Sequence, residues 1–254
     1  LRSGIMHQGL YSATKEGTTQ GSPLSPLLSN FVLDELDKRL EKRGFSFCRF
    51  ADDCNVFVGS KKAASRLMTN LSGFIEGKLK LRVNREKSQV SKSQFVKFLG
   101  MTIVSGTIAI SRISMQRAMA KVKELSPRGT HLTLEQSISS FNQWYRGWSN
   151  YYSMTQYPAQ FSKIEAHYRR RIRSRMVHQL KNRRNLVKRL VRRGVSRSRA
   201  SRAAYSGKKC WALSRTSAVE GAYSNSWFEQ QGIYMASSLT LDWWLDRGKW
   251  IRLT

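Results

Sequence analysis

The stretch Phe45-Ser-Phe-Cys-Arg-Phe-Ala-Asp-Asp-Cys-Asn-Val-Phe-Val58 decides how this chain is read. Two runs rich in aromatic and apolar residues, Phe45 to Phe50 and Cys54 to Val58, flank Ala51-Asp52-Asp53. That is the pattern of a β-hairpin with two acids at its tip. Adjacent carboxylates repel each other, so the pair is unfavourable unless something positive lies beside it. A hard cation such as Mg2+ meets that need with oxygen ligands. Aspartate is also an ordinary turn residue, and a polar turn between two edge strands accounts equally for the hairpin taken alone.

Upstream, Glu16-Gly-Thr-Thr-Gln-Gly-Ser-Pro-Leu-Ser-Pro26 places two glycines and two prolines at close spacing, which predicts a tight loop leading into a helix. From Leu24 the apolar residues fall at 24, 27, 28, 31, 32, 36 and 40, a helical period, and Gly44 marks its end. Downstream, Lys61 to Gly77 reads as a second amphipathic helix. Leu79 to Val83 alternates as a strand and turns polar at Asn84, with Lys87 in the polar turn; alone, Lys87 reads as a solvated surface lysine. Phe95 to Ile103 and Thr107 to Ile110 read as two further strands around Ser105-Gly106. The order predicts an α+β fold, an antiparallel sheet with helices on one face.

From Ser111 onward the strand signals vanish. Ser114 to Leu125 predicts a short helix ended by Pro127, and Thr133-Leu-Glu-Gln136 is a capping box opening a helix with an aromatic stripe from Phe141 to Tyr152. Lys163 to Lys209 carries 18 Lys or Arg against one acid, Glu165. Apolar residues persist within it, which predicts basic helices with a docked apolar face.

The whole chain of 254 residues has a net charge of +29 and is 40% hydrophobic, so it can bury a core and is matched to a polyanionic partner, most simply nucleic acid. Residues 1–110 hold 17 basic and 9 acidic side chains; residues 111–254 hold 28 and 7. Three Cys (Cys48, Cys54, Cys210) and four scattered His form no metal-ligand spacing, and no zinc or His-Asn-His endonuclease pattern is visible. With no long apolar run or signal peptide, the expectation is no membrane association and a cytoplasmic location.

Four blocks in order are more specific than any one alone. Gly17-Thr-Thr-Gln-Gly-Ser-Pro-Leu-Ser-Pro-Leu-Leu-Ser-Asn30, Phe50-Ala-Asp-Asp53, Val83-Asn-Arg-Glu-Lys-Ser88 and Phe98-Leu-Gly100 resemble the consecutive motifs of group II intron reverse transcriptases. Arg146-Gly-Trp-Ser-Asn-Tyr-Tyr152 resembles the signature of their thumb, or maturase, domain. The resemblance implies a partial right-hand polymerase: palm and fingers over residues 1–110, an all-α thumb/maturase region over 111–180, and a basic RNA/DNA-binding region over 181–254. It implies that Asp52 and Asp53 are catalytic metal ligands for Mg2+, with Asp52 the more central. Lys87 would protonate the leaving pyrophosphate. Gln20, Gly21, Phe50, Asn84, Phe98, Leu99 and Gly100 would contact nucleotide and primer–template. Phe50 stands where the family usually has Tyr, which removes one hydroxyl. Arg146, Arg169, Arg170, Arg171, Arg173, Arg183, Arg184, Arg192 and Arg193 are candidate RNA contacts. Implied partners are group II intron RNA, an RNA template with a DNA primer, target DNA and dNTPs. The implied chemistry is two-metal nucleotidyl transfer, alongside promotion of intron splicing and mobility.

The resemblance also implies a third carboxylate on a strand before the Gln20-Gly21 loop. Upstream of the hairpin the only aspartates are Asp34 and Asp37, on the polar face of a helix beside Lys38 and Arg39, where surface ion pairs are expected. The chain therefore reads as a C-terminal portion whose missing N-terminal segment is a further partner, and which binds RNA without polymerising by itself. Two rival readings are an RNA-binding splicing cofactor with an idle polymerase site and a general nucleic-acid binder.

Overall fold

The computed structural model describes residues 4–7, 10–13 and 23–237. The chain divides into two compact units, residues 1–93 and 94–254.

In the first unit, β1 (Gly4–His7) pairs antiparallel with β2 (Leu10–Ala13). Helix α1 (Leu24–Lys42) follows and buries Leu33, Leu36 and Leu40, spaced to fall on one face. Its end is closed by a Schellman arrangement: the Gly44 N–H donates to the Glu41 carbonyl (2.8 Å) and the Phe45 N–H to that of Leu40 (3.1 Å). Gly44 holds the required left-handed φ of 68°. The chain turns there into β3 (Ser46–Phe50), which pairs with β4 (Asp53–Phe57). Helix α2 (Lys61–Gly77) starts on a Ser60 cap and carries Leu71, Phe74 and Ile75 onto the α1 cluster, together with Phe45, Phe47, Cys54, Val56 and Leu79.

The second unit opens with a single 3-10 turn (Ser93–Phe95, straddling the division) and the hairpin of β5 (Met101–Val104) with β6 (Thr107–Ile110). Then come α3 (Arg112–Leu125), α4 (Leu134–Tyr151), α5 (Ala159–Gln179), α6 (Arg183–Arg192), α7 (Arg197–Ala204), α8 (Cys210–Leu213), α9 (Ser217–Ala222) and α10 (Asn225–Gln230). The capping box at Thr133 and Gln136 is formed on both sides. One core runs through this unit, with Phe141 and Tyr168 stacked at 3.8 Å.

The α+β class holds, but the strands do not form one sheet covered on one face: among the described residues they make three separate antiparallel pairs. Leu79 to Val83 is not a strand. Lys80 adopts φ 56°, the Leu81 N–H bonds back to the Ile75 carbonyl, and Leu79 returns to the α1 cluster. Alternation there reflects one anchored side chain in a loop, because no strand lies beside it to complete a ladder. Phe95 to Gly100 is likewise a turn segment preceding a short strand. The β5–β6 hairpin belongs with the helices: Gln160 on α5 donates to the Ile110 carbonyl and accepts from its N–H, both at 2.9 Å. The division between units therefore precedes this hairpin rather than following residue 110.

Candidate active site and nucleic-acid interface

Residue pairs Phe47↔Val56 and Arg49↔Cys54 put these four side chains on the face of the hairpin that meets α1. The pair Phe50↔Asp53 falls on the opposite face and is the last before the turn. Ala51 and Asp52 form a two-residue loop, and Ala51 has φ 53°. Positive φ at the first central position is the habit of a type II′ hairpin turn, where glycine is favoured. For alanine that backbone costs on the order of 1–2 kcal/mol.

Arg49 holds this turn. Its Nε donates to both carboxylate oxygens of Asp37 (2.9 and 3.0 Å), its Nη2 to Asp37 Oδ2 (2.6 Å), and its Nη1 to the Ala51 carbonyl (2.8 Å) and to Asn30 Oδ1 (2.9 Å). The pair is largely enclosed, at 12% and 21% exposure. Hydrogen bonding to Asp37 raises the Arg49 pKa above its ordinary value. Asp34 makes the expected surface pair with Lys38, but Asp37 does not: it serves the acidic turn through Arg49. Sequence reasoning missed Arg49. The signal was an arginine placed on the core-facing side of a hairpin strand, where an unpaired cation is too costly to leave.

Asp52 and Asp53 are exposed, and neither carboxylate enters an ion pair or hydrogen bond among the described residues. Two carboxylates with unengaged oxygens suit a hard divalent cation, which takes its other ligands from water and phosphate. No group of three or more His, Cys, Asp or Glu converges among the described residues. Phe50 is 60% exposed beside Asp53 on the open face of the hairpin. Gln20 and Gly21 lie outside the described residues.

Lys87 is exposed, in a separate loop of the first unit. Asn84 shapes that loop: its Oδ1 accepts from the backbone N–H groups of Glu86 and Lys87, each at 3.1 Å. Asn84 thus fixes the turn that carries the lysine, an Asx-type use of its side chain.

Phe98, Leu99 and Gly100 form a tight turn in the second unit. Phe98 and Met101 exchange both backbone hydrogen bonds, with φ 50° at Leu99 and 75° at Gly100. The turn is fastened to α3 and α4. The Gly100 carbonyl accepts from the Ser111 N–H and the Ser114 hydroxyl, both at 2.9 Å, and the Tyr151 hydroxyl donates to the Leu99 carbonyl (3.2 Å). A Cβ on Gly100 would stand 2.5 Å from the Tyr152 hydroxyl. Two motifs 52 residues apart in sequence therefore meet.

The candidate RNA-contacting arginines divide into two groups. Arg169 and Arg173 are buried, and both have pKa values lowered by that burial. Arg173 donates to the Tyr223 carbonyl (2.8 Å), and Arg169 to the Met235 sulfur (3.4 Å). Arg171 clips the end of α3 through Ser126, Arg183 bonds the Ala204 carbonyl (2.5 Å), and Arg193 lies over Tyr223 and Trp227. Arg170 stacks on Trp211 at 3.8 Å. Arg169 and Arg173, expected as RNA contacts, are instead held inside the fold, Arg169 on Met235 and Arg173 on the Tyr223 carbonyl, Asn225 and Glu220. Arg146, Arg184 and Arg192 are exposed, Arg146 with its guanidinium 5.2 Å from the Tyr234 ring. The Trp-rich segment Asp242 to Trp250 lies outside the described residues. Among those residues no helix is long and apolar enough to cross a membrane.

Residues 5–103 match the family model of reverse transcriptase (RNA-dependent DNA polymerase), and residues 115–194 match that of the group II intron, maturase-specific domain. Together these two matches, a reverse transcriptase segment followed by a group II intron maturase-specific segment, support a group II intron reverse transcriptase/maturase. Among curated proteins, it is similar to Protein YkfC of Escherichia coli (strain K12), 30% identical over 124 residues covering 35% of this chain and 32% of that protein. It is also similar to the retron Mx65 reverse transcriptase of Myxococcus xanthus, 29% identical over 109 residues, 41% of this chain and 25% of that protein. The chain spans about a third and a quarter of the lengths of these relatives.

Proposed function

We propose that these 254 residues belong to an RNA-directed DNA polymerase of a group II intron that also promotes splicing of the intron RNA. The observation that carries the polymerase reading is the exposed, unpaired Asp52–Asp53 turn held by Arg49 within the segment matching reverse transcriptases. The maturase reading rests on the basic helical region within the maturase-specific match. The similarity to a protein named a retron reverse transcriptase supports the first.

Asp52 and Asp53 would hold the divalent metal, Mg2+ in this reading. When bound, as two ions, it supplies charge neutralisation at the nucleotide phosphates and activation of the primer hydroxyl. Arg49 keeps the turn in place, Asn84 presents Lys87 toward the leaving pyrophosphate, and the Phe98–Gly100 turn braces the primer. The exposed arginines hold RNA backbone, with template, primer, target DNA and dNTPs as the other partners and the cytoplasm as the setting.

In this reading these 254 residues alone bind RNA without extending a primer, because no aspartate precedes Asp34 to serve as the third metal ligand that the resemblance implies. Primer extension on an RNA template with Mg2+ tests this; template-dependent DNA synthesis by the chain itself would overturn it. In the full-length protein, Asp52→Ala is expected to abolish DNA synthesis. If synthesis is unchanged in Asp52→Ala, the polymerase reading of the turn fails, and if wild-type protein splices but never synthesises, the idle-site alternative holds.

A further inference from the structure

Between α3, α5 and α8 the second unit has a cleft of about 420 Å³, lined by Met119, Ala120, Lys123, Arg128, His167, Arg171 and Trp211. Its volume lies in the range of small-molecule sites, and its lining mixes aromatic, apolar and cationic groups with no acid among them. Lys123 and Arg128 are exposed, and neither side chain has an ion-pair partner among the described residues. Arg171 is fixed by bonds from its Nε to the Ser126 hydroxyl (2.7 Å) and from its Nη2 to the Ser126 carbonyl (2.8 Å). The cations crowd one another: Arg128 helps to lower the Arg171 pKa after burial, and burial followed by Arg171 and Arg170 lowers that of His167. His167 is thereby held neutral near pH 7 and available to hydrogen-bond without adding charge.

Trp211 supplies the flat surface. Arg170 covers one face of the indole at 3.8 Å yet does not line the cleft, and His167 meets the ring edge-on at 5.9 Å. A cation on one face of an indole leaves the other for an aromatic ring of the ligand. Three cations with no ion-pair partner among the described residues, beside an aromatic surface, are the two halves of nucleotide recognition: phosphate on the charges, base on the ring.

We infer that this cleft takes one unstacked nucleotide of single-stranded RNA, with the base against Trp211 and Met119 and its phosphate among Lys123, Arg128 and Arg171. The inference rests on the reading that the basic region binds RNA, and adds a discrete subsite to a diffuse charge. It also accounts for Trp211 and His167, which the proposed polymerase chemistry does not use.

The test is a fluorescence titration of the full chain with a short oligoribonucleotide carrying a single 2-aminopurine. Wild-type protein should change the 2-aminopurine emission on binding. Arg128→Glu should weaken binding roughly tenfold more than Arg112→Glu, a charge reversal of equal size at the other end of α3. Trp211→Ala should abolish the emission change, and Trp211→Phe should retain it, which separates loss of stacking from loss of fold. Equal affinities for Arg128→Glu and Arg112→Glu, or an emission change that survives Trp211→Ala, would overturn the cleft while leaving RNA binding intact. Failure of wild-type chain to bind the oligoribonucleotide at any salt would overturn the RNA-binding reading and the cleft with it.

Discussion

Arg49 and Asp37 meet side-on, with three N–H donors-to-oxygen contacts between 2.6 and 3.0 Å, and the same guanidinium reaches the Ala51 carbonyl at the base of the acidic turn. An arginine fork held by a carboxylate is a geometrically specific tie, so Arg49 transmits the position of α1 to Asp52. Either Arg49→Met or Asp37→Asn should destabilise the first unit by about 1–3 kcal/mol. A double-mutant cycle in urea should return a coupling of roughly 1–2 kcal/mol; additive losses would mean the two residues act independently. Asp52→Asn should leave stability unchanged or slightly improved, since it relieves repulsion.

The Ala51 backbone sits where glycine is favoured. Ala51→Gly should therefore stabilise the hairpin by about 0.5–1 kcal/mol. A lowered urea midpoint for this variant would show that the turn is not strained.

Gly100 is the reverse case. Gly100→Ala meets the Tyr152 hydroxyl at 2.5 Å and the Ser114 hydroxyl at 2.9 Å, at a φ of 75°. We expect a loss of about 2–3 kcal/mol. Tyr152→Phe in the same chain should restore part of it by removing the nearer atom, read as a recovered thermal midpoint.

The thiol of Cys54 lies on the core side of the hairpin, and burial, reinforced by Asp37, pushes its pKa up to about 11. It should stay protonated at pH 8 and alkylate with iodoacetamide far more slowly than a free thiol. The folded value exceeds the ordinary 9.0, so the protonated thiol favours the folded state below pH 9. That contribution disappears as the pH rises from 9 toward 11. Cys54→Ala should flatten this alkaline limb of the stability profile.

The arginines should separate by assay. Arg173→Ala leaves the Tyr223 carbonyl without its donor and opens a space in the core, a loss of about 2–4 kcal/mol. Arg184→Ala and Arg192→Ala should leave the melting temperature unchanged while each lowers the salt slope of RNA binding by roughly 0.7. A salt slope unaffected by the exposed pair would place the RNA elsewhere.

The local signals read true where local physics suffices. Helical period found α1, α2 and α4, the capping box at Thr133 formed, and aromatic runs around two acids produced the hairpin. Alternation at Leu79 to Val83 misled, because a strand exists only beside another strand. Charge density along Lys163 to Lys209 was plain in the sequence, and the ordered motif blocks carried the family resemblance. Which arginines face solvent was not. Arg173 reaches Tyr223, 50 residues away, and Arg49 reaches Asp37 across 12, so only the folded chain reveals their partners. Composition and period therefore determined the α+β class and the match to a polyanion, while the ordered motif blocks, by resemblance, marked the residues worth suspecting. Tertiary structure alone divided the cations into those that hold the fold and those left free for a polyanion, because burial without a partner is what a charge cannot bear.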